Sequence, residues 1–227
     1  MVKRAILPLI TVLVISAFQS VGFEAGAVRR AIEKNANWLI GQYDSKTKTF
    51  GTATAPEQLA MVVKVLCDNP RDYKEANGPY ISEPVKIMLS KVDENGHVSG
   101  MLTTEAEAAL WIVTGLKATK NEKYAPIMEK LRARIKEIGR PEFPKFDPAH
   151  LQPTAVTAES MRNAIAGVLK AGEEGKKEIE VDGKPVKWAE VLGESLSKLQ
   201  QPDGSFGPDI QANAMALYVL NLCLKTL

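Results

Sequence analysis

The chain has 227 residues, and 29 Lys and Arg against 27 Asp and Glu give it a formal net charge of +2. A nearly neutral chain has no long-range field that would attract nucleic acid or an anionic membrane surface, so neither is an expected partner. Hydrophobic residues make up 45% of the sequence, enough for one domain with a sizeable core.

The N-terminus has the pattern of an export signal. Lys3 and Arg4 precede an apolar run over residues 5–22, and Ala25-Gly26-Ala27 supplies the small residues that a signal peptidase requires. We therefore predict that residues 1–27 are removed and that residues 28–227 form a single secreted or periplasmic domain with no transmembrane segment. The alternative is an uncleaved N-terminal anchor, because the apolar run is near the lower limit for crossing a bilayer.

Four segments carry a single apolar stripe at helical spacing, which predicts four amphipathic helices. Asn35 and Ser195 are the polar exceptions within these stripes, and Pro84 is placed in the first turn of the second helix. The stripes are Val28, Ala31, Ile32, Asn35, Ala36 and Leu39; Val85, Met88, Leu89 and Val92; Ile127, Met128, Leu131, Ile135 and Ile138; and Trp188, Val191, Leu192, Ser195, Leu196 and Leu199.

Each amphipathic helix is followed by a polar turn and then by a helix that is apolar on most faces. These later helices cover residues 59–66, 106–113, 164–169 and 212–220. A helix that is apolar all round is covered on both sides. Each unit is therefore predicted to supply one outer helix with a wet face and one inner helix without one.

The turns between the outer and inner helices repeat along the chain. Their aspartates are separated by 49, 54 and 56 residues, and three of the turns place a buried-type residue shortly before a glycine. An Ala-led apolar tetrad then begins nine residues after each of these glycines. The aspartates are Asp44, Asp93, Asp147 and Asp203, and the glycines are Gly51, Gly100 and Gly207. Self-similarity of this kind predicts stacked helical hairpins that form a curved array or ring.

One segment departs from the helical pattern. Ile179 and Val181 alternate with charged residues before Asp182-Gly183, and Val186 follows. Alternation on both sides of an Asp-Gly pair predicts a small β-hairpin over residues 177–187, with an irregular loop as the alternative.

The repeat unit resembles that of the squalene/hopene cyclase and protein prenyltransferase superfamily. In that repeat an outer helix ends in aromatic-Leu-x-x-x-Gln, and Asp-Gly-x-aromatic-Gly precedes an Ala/Leu-rich inner helix. Here Trp38-Leu39 and Gln42 precede Phe50-Gly51, and Gln200 precedes Asp203-Gly204-Ser205-Phe206-Gly207. The resemblance extends over residues 28–227, although the second and third units lack the glutamine. It implies an all-α fold, an α/α toroid or partial toroid of four hairpins around a cavity; other helical solenoids have shorter repeats.

The catalytic motifs of that superfamily are absent from the sequence. Neither Asp-x-Asp-Asp nor Asp-Asp-x-x-Asp occurs, and aromatic residues make up only 6% of the chain. His97 and His150 lie in turns while Cys67 and Cys223 lie in inner helices, so no zinc site, other metal or cofactor is expected. The two cysteines either form one disulfide in an oxidising compartment or pack separately as small hydrophobes.

Acidic residues gather near the predicted starts of the inner helices. Two of them could do acid–base chemistry on a glycan, or each could complement the dipole of its own helix. Trp111 and Tyr218 share one position in the repeat and either line the cavity or belong to the core. The acidic residues are Glu57, Glu105, Glu107, Glu159 and Asp209.

These observations favour an exported repeat protein that binds a small molecule, a glycan or a protein and does not catalyse a reaction. The expected ligand-binding residues of the inner-helix cavity are Glu57, Glu105, Glu159, Trp111 and Tyr218. Two alternatives stay open, a secreted polysaccharide lyase or hydrolase that uses carboxylates at the cavity mouth, and a non-cyclising isoprenoid-binding protein. Asp203 itself is predicted to form a turn, because it has counterparts in the other units.

Overall fold

A computed structural model describes residues 25–142, 144 and 147–227, and this part of the chain is mostly helical, as predicted. The predicted signal segment lies outside the described residues except for Ala25, Gly26 and Ala27, which begin the first helix. No helix in the described part is both long and apolar enough to cross a membrane. The helices are α1 (Ala25–Gly41), α2 (Pro56–Cys67), α3 (Pro79–Leu89), α4 (Glu105–Ala118), α5 (Ala125–Ile138), α6 (Ala158–Glu173), α7 (Trp188–Leu199) and α8 (Ile210–Thr226), with short 3-10 turns at Glu75–Asn77, Glu122–Tyr124 and Pro148–Leu151.

Two small antiparallel hairpins interrupt the helices. The predicted one is confirmed: β3 (Ile179–Val181) pairs with β4 (Lys184–Val186), with Val181 opposite Lys184. Asp182 and Gly183 both have positive φ, as the mirror-image turn of a two-residue hairpin loop requires. The other hairpin, β1 (Tyr43–Asp44) with β2 (Thr49–Phe50), was not predicted because two-residue strands are too short to show alternation.

The outer helices bury the stripes that their spacing predicts. The buried residues of α1 are the six predicted ones, with Asn35 among them. In α3 the predicted position of Pro84 is wrong. The helix begins five residues earlier, at Pro79, so Pro84 lies in its middle and is buried. Pro79 takes the first-turn position that suits proline.

The inner helices are not all alike. Nearly every residue of α2, α4 and α8 is buried or partly buried. The prediction that α6 is also covered on both sides is wrong, because its buried residues form one stripe only, Met161, Ala164, Ile165, Val168 and Ala171. Arg162 and Lys170 interrupt the apolar run, and the half-buried remainder of the helix is not packed against a second long element.

Two inner helices organise the core. Helix α2 packs against α3, α4 and α8, whereas α8 packs against α1, α2, α6 and α7. Helix α5 packs against α4, but α4 and α6 do not pack along their lengths. A Cβ at Gly115 of α4 would lie 2.6 Å from the carbonyl oxygen of Ala60, so this glycine permits the close approach of α2 and α4.

Three of the predicted turns share one local structure. In each, the aspartate Oδ1 accepts a hydrogen bond from the backbone N–H two residues later, at 2.7, 2.8 and 2.9 Å for Asp44, Asp93 and Asp203. Gly51, Gly100 and Gly207 all have positive φ. The apolar side chain before each glycine, Phe50, Val98 or Phe206, is buried. These aspartates form turns, and the hydrogen bonds from the backbone lower the pKa of Asp93 and Asp203. The fourth turn includes residues 145 and 146, which lie outside the described residues.

Candidate functional site

Glu57 is a structural carboxylate at the start of α2. Its side chain is 1% exposed, and Oε1 accepts hydrogen bonds from the backbone N–H groups of Leu102 and Thr103 at 2.6 and 3.2 Å. Glu57 therefore fastens the loop that leads into α4. Its Oε2 is buried and has no hydrogen-bond partner.

Glu105 joins α4 to α5. Arg134 donates to both carboxylate oxygens, from Nε at 3.2 Å and from a terminal nitrogen at 2.8 Å, and His97 Nδ1 lies 3.1 Å from Oε1. The hydrogen bonds from Arg134 lower the pKa of Glu105 to about 2, against an opposing effect of burial. A carboxylate held this way is ionised and unsuited to act as a general acid near neutral pH.

Glu159 and Asp209 lie at the starts of their helices without any partner that suggests chemistry. Glu159 is exposed in the first turn of α6. Asp209 caps α8, because its Oδ1 accepts from the N–H of Gln211 at 2.8 Å. The structure therefore gives four of the predicted carboxylates separate surroundings.

Glu107 is the exception. It is 3% exposed on α4, and Arg162 of α6 donates a short hydrogen bond to its Oε2. This ion pair bridges two helices that do not otherwise pack along their lengths. Arg162 was not among the predicted residues. Its distance from Glu107 could have revealed it, because the two are 55 residues apart, as are Ala109 and Ala164 of the aligned tetrads.

Trp111 and Tyr218 meet in the same region. Their ring centroids are 5.8 Å apart with an interplanar angle of 85°, an edge-to-face contact between α4 and α8. Both are largely buried, at 6% and 7% exposure. Burial raises the pKa of Tyr218, and the charges of Glu173 and Asp68 raise it further. The predicted choice between cavity wall and core is thus settled in favour of a buried pair.

We name Glu107, Trp111, Arg162 and Tyr218 the α4–α6 seam. Trp111 follows Glu107 by one turn on the same face of α4, so the aromatic pair lies directly below the ion pair. Two N–H donors here, Trp111 Nε1 and Arg162 Nε, are buried without a hydrogen-bond acceptor. Such a donor costs about 1–3 kcal/mol, so two of them around one ion pair single out this region as a candidate site.

A measurable cavity lies elsewhere. It has a volume of about 140 Å³ and lies between the β3–β4 hairpin, the start of α7 and the end of α8. Lys187 and Glu190 at its rim pair with each other at 3.1 Å. No predicted site residue lines it. The lining residues are Lys177, Glu178, Lys187, Ala189, Glu190, Thr226 and Leu227.

The cysteines and the acidic residues form no metal centre in the described part of the chain. No three His, Cys, Asp or Glu side chains come together there in a way that could hold a metal ion. Cys67 and Cys223 are free and buried, so they pack as small hydrophobes and form no disulfide. Burial raises the pKa of Cys67 to about 12, which makes its thiolate a poor candidate for chemistry.

Comparison with known proteins gives no relative: no family model, curated protein or solved structure matches this chain.

Proposed function

We propose that this chain is an exported α/α toroid of the squalene cyclase and prenyltransferase-like repeat class that binds a ligand and does not catalyse a reaction. Export rests on the basic and apolar N-terminal pattern of residues 1–27. The ring and the binding role rest on contacts between the helices and on the state of the predicted carboxylates.

The first support for a ring comes from two turn glycines. A Cβ at Gly96, in the turn before α4, would lie 2.9 Å from the carbonyl oxygen of Lys130 in α5. A Cβ at Gly204, in the turn before α8, would lie 2.5 Å from the carbonyl oxygen of Lys34 in α1. Each turn receives the backbone of an outer helix, and for the last turn that helix is the first of the chain. This is the contact that a closed ring requires.

The second support comes from equivalent positions that meet. Trp111 and Tyr218 are 107 residues apart, as are Gly100 and Gly207, and their rings touch. Glu107 and Arg162 occupy matching positions of their own helices and form an ion pair. Side chains at the same repeat position meet when the inner helices surround a common axis.

A binding role without catalysis is carried by one observation. The buried carboxylates predicted as acids and bases are each held by a dedicated partner: Glu57 by backbone N–H groups, Glu105 by Arg134 and Glu107 by Arg162. A glycoside hydrolase needs two carboxyl groups that face each other across the substrate, one of them able to hold a proton. The contacts of these residues favour anchoring of loops and helices instead.

The test uses the purified chain of residues 28–227 with cellohexaose, hexagalacturonate and farnesyl diphosphate as separate substrates. We expect no product by mass spectrometry after prolonged incubation. Turnover that disappears in Glu57→Gln or Glu107→Gln, with the fold unchanged by circular dichroism, would contradict the proposal. It would favour the lyase or hydrolase alternative. Glu159→Gln, at an exposed position, is the matched control.

A further inference from the structure

The α4–α6 seam continues beyond the four residues that define it. On α6, Ala166 and Leu169 follow Arg162 at helical spacing, and Glu173 ends the same stripe. On α4, Leu110 and Thr114 flank Trp111. Ala166, Leu169, Leu110 and Thr114 are all only half-buried, as expected where two helices face each other without interdigitating.

The two ends of this stripe are fixed by contacts. Arg162 meets Glu107 at one end, and the charge of Glu173 acts on Tyr218 at the other. Eleven residues separate Arg162 from Glu173, which is about 16 Å along the helix axis. The seam is therefore a short apolar slot with one aromatic wall and a polar end.

The hydrogen-bonding groups of the slot are unbalanced. Trp111 is more than nine-tenths buried, and its indole N–H has no acceptor. Arg162 Nε–H at the same end also has none, while the hydroxyl of Thr114 donates to Leu110 at 2.7 Å. The slot thus offers unsatisfied donors, and it fits a ligand that brings acceptor oxygens.

The charges of the slot decide between kinds of acceptor. Glu107 and Arg162 cancel, and Glu173 leaves one negative charge. An anionic ligand would place a second carboxylate beside the buried Glu107, at a cost in a poorly solvated site. A cationic ligand would satisfy neither N–H group. A neutral oxygen acceptor satisfies both requirements.

We propose that the α4–α6 seam binds a small neutral molecule with an apolar body, which presents carbonyl, ether or hydroxyl oxygen to Trp111 Nε1 and Arg162 Nε. The apolar body lies against Trp111, Ala166 and Leu169. This proposal names the ligand class and rests on the proposed binding function.

The test follows the indole N–H signals of ¹⁵N-tryptophan-labelled protein by NMR, and the chain has three tryptophans to distinguish. Four probes share one ring: cyclohexanone, cyclohexanecarboxylate, cyclohexylammonium and methylcyclohexane. We expect cyclohexanone to shift the Trp111 signal saturably, with a Kd on the order of 1–10 mM for so small a fragment. The other three probes bind at least about tenfold more weakly, because each lacks either neutrality or an acceptor.

Two variants control the assignment. Trp111→Phe keeps an aromatic ring and removes the donor, so cyclohexanone should bind about tenfold more weakly, measured on the backbone amides of Leu110 and Ala166. Trp188→Phe should leave cyclohexanone binding unchanged, because the indole N–H of Trp188 already donates to the carbonyl of Lys176 at 2.8 Å.

Several results would overturn the inference: a Trp111 signal that cyclohexanone does not move, tighter binding of the carboxylate, or equal binding by the Trp111→Phe variant. Cyclohexanone shifts confined to amides outside α4 and α6 would also overturn it, although the proposed binding function would stand. Failure of the proposed function itself is read separately, from the turnover assay.

Discussion

The molecule joins its helices in two contrasting ways. Where α1 meets α8, which we name the α1–α8 seam, the residues Asn35, Gln200, Gly204 and Asn213 form a buried amide network. Asn35 Nδ2 donates to the oxygen of Gly204 at 3.1 Å and to Asn213 Oδ1 at 2.8 Å. Gln200 Nε2 donates to the carbonyl of Ala31 at 2.9 Å. The α4–α6 seam has one ion pair and two donors without acceptors.

The contrast teaches how the chain separates closure from binding. In the α1–α8 seam the side-chain amide donors have acceptors, and the one unpartnered atom is an acceptor, Asn35 Oδ1. A single unpaired acceptor is better tolerated than an unpaired donor. Helices that are sealed by backbone-directed hydrogen bonds leave no room for a ligand. The seam with unsatisfied donors is the one where binding is expected to gain free energy.

The largest effect is expected from Gly204→Ala. The new Cβ would meet the backbone of Lys34, and the φ of +92° is already unfavourable for alanine. We expect a loss of about 3–4 kcal/mol in the free energy of unfolding, measured with urea. Gly207→Ala is the matched control, with φ of +120° and no atom within 4 Å of the new Cβ, and should cost only about 1–2 kcal/mol. Equal losses would mean that α1 does not press against this turn.

The next effect tests the ion pair of the other seam. Arg162→Met leaves the buried Glu107 unpaired and should cost about 2 kcal/mol, less than for a fully buried pair because about a third of the Arg162 side chain is exposed. Adding Glu107→Leu should recover most of this loss, since an apolar pair can replace a buried ion pair. If the double variant is less stable than Arg162→Met, then Glu107 has a second partner.

A smaller effect concerns acid. The pKa of Glu105 is lowered to about 2 by Arg134, below its value of about 4.3 in an unfolded chain. The stability from this pair is therefore fully present above about pH 4.3 and is lost as the pH falls toward 2. Urea unfolding of the wild type and Arg134→Met should differ by about 1 kcal/mol at pH 6 and converge near pH 2. A gap that widens in acid would contradict the assignment. The uncharged amide network of the α1–α8 seam should not respond.

The smallest effect compares two tryptophans. Trp188→Phe loses a buried hydrogen bond, whereas Trp111→Phe removes a donor that has no acceptor. Both variants lose similar volume, so Trp188→Phe should be less stable than Trp111→Phe by about 1 kcal/mol. Equal urea midpoints would show that the indole N–H of Trp111 has an acceptor in the folded protein.

Features set by local sequence could be predicted, and those set by tertiary contacts could not. The stripe of α1, including Asn35, follows from helical spacing alone. The hairpin at Asp182-Gly183 follows from its turn residues. In contrast, the half-covered state of α6 depends on the gap beside α4. The partner of Glu107 also depended on that gap, and composition gives no sign of it.

The candidate site was found only in part. Trp111 and Tyr218 were predicted because they share a repeat position, and the structure brings them together. Glu57 and Glu105 were expected at a cavity mouth, but the structure uses both to hold neighbouring segments. First-turn acidic residues have the same sequence pattern whether they anchor a loop or face a ligand. Only their contacts distinguish the two roles.

Native-state hydrogen exchange tests the contrast between the seams most directly. We expect the amides of α1 around Asn35 and Leu39 to exchange only with global unfolding, together with those of α8, although α1 is the first described helix. The amides of α6 around Ala166 should exchange through a local opening about 2 kcal/mol lower in free energy, because one face of that helix is poorly covered. Exchange of α1 as fast as that of α6, or faster, would contradict closure at α1 and α8.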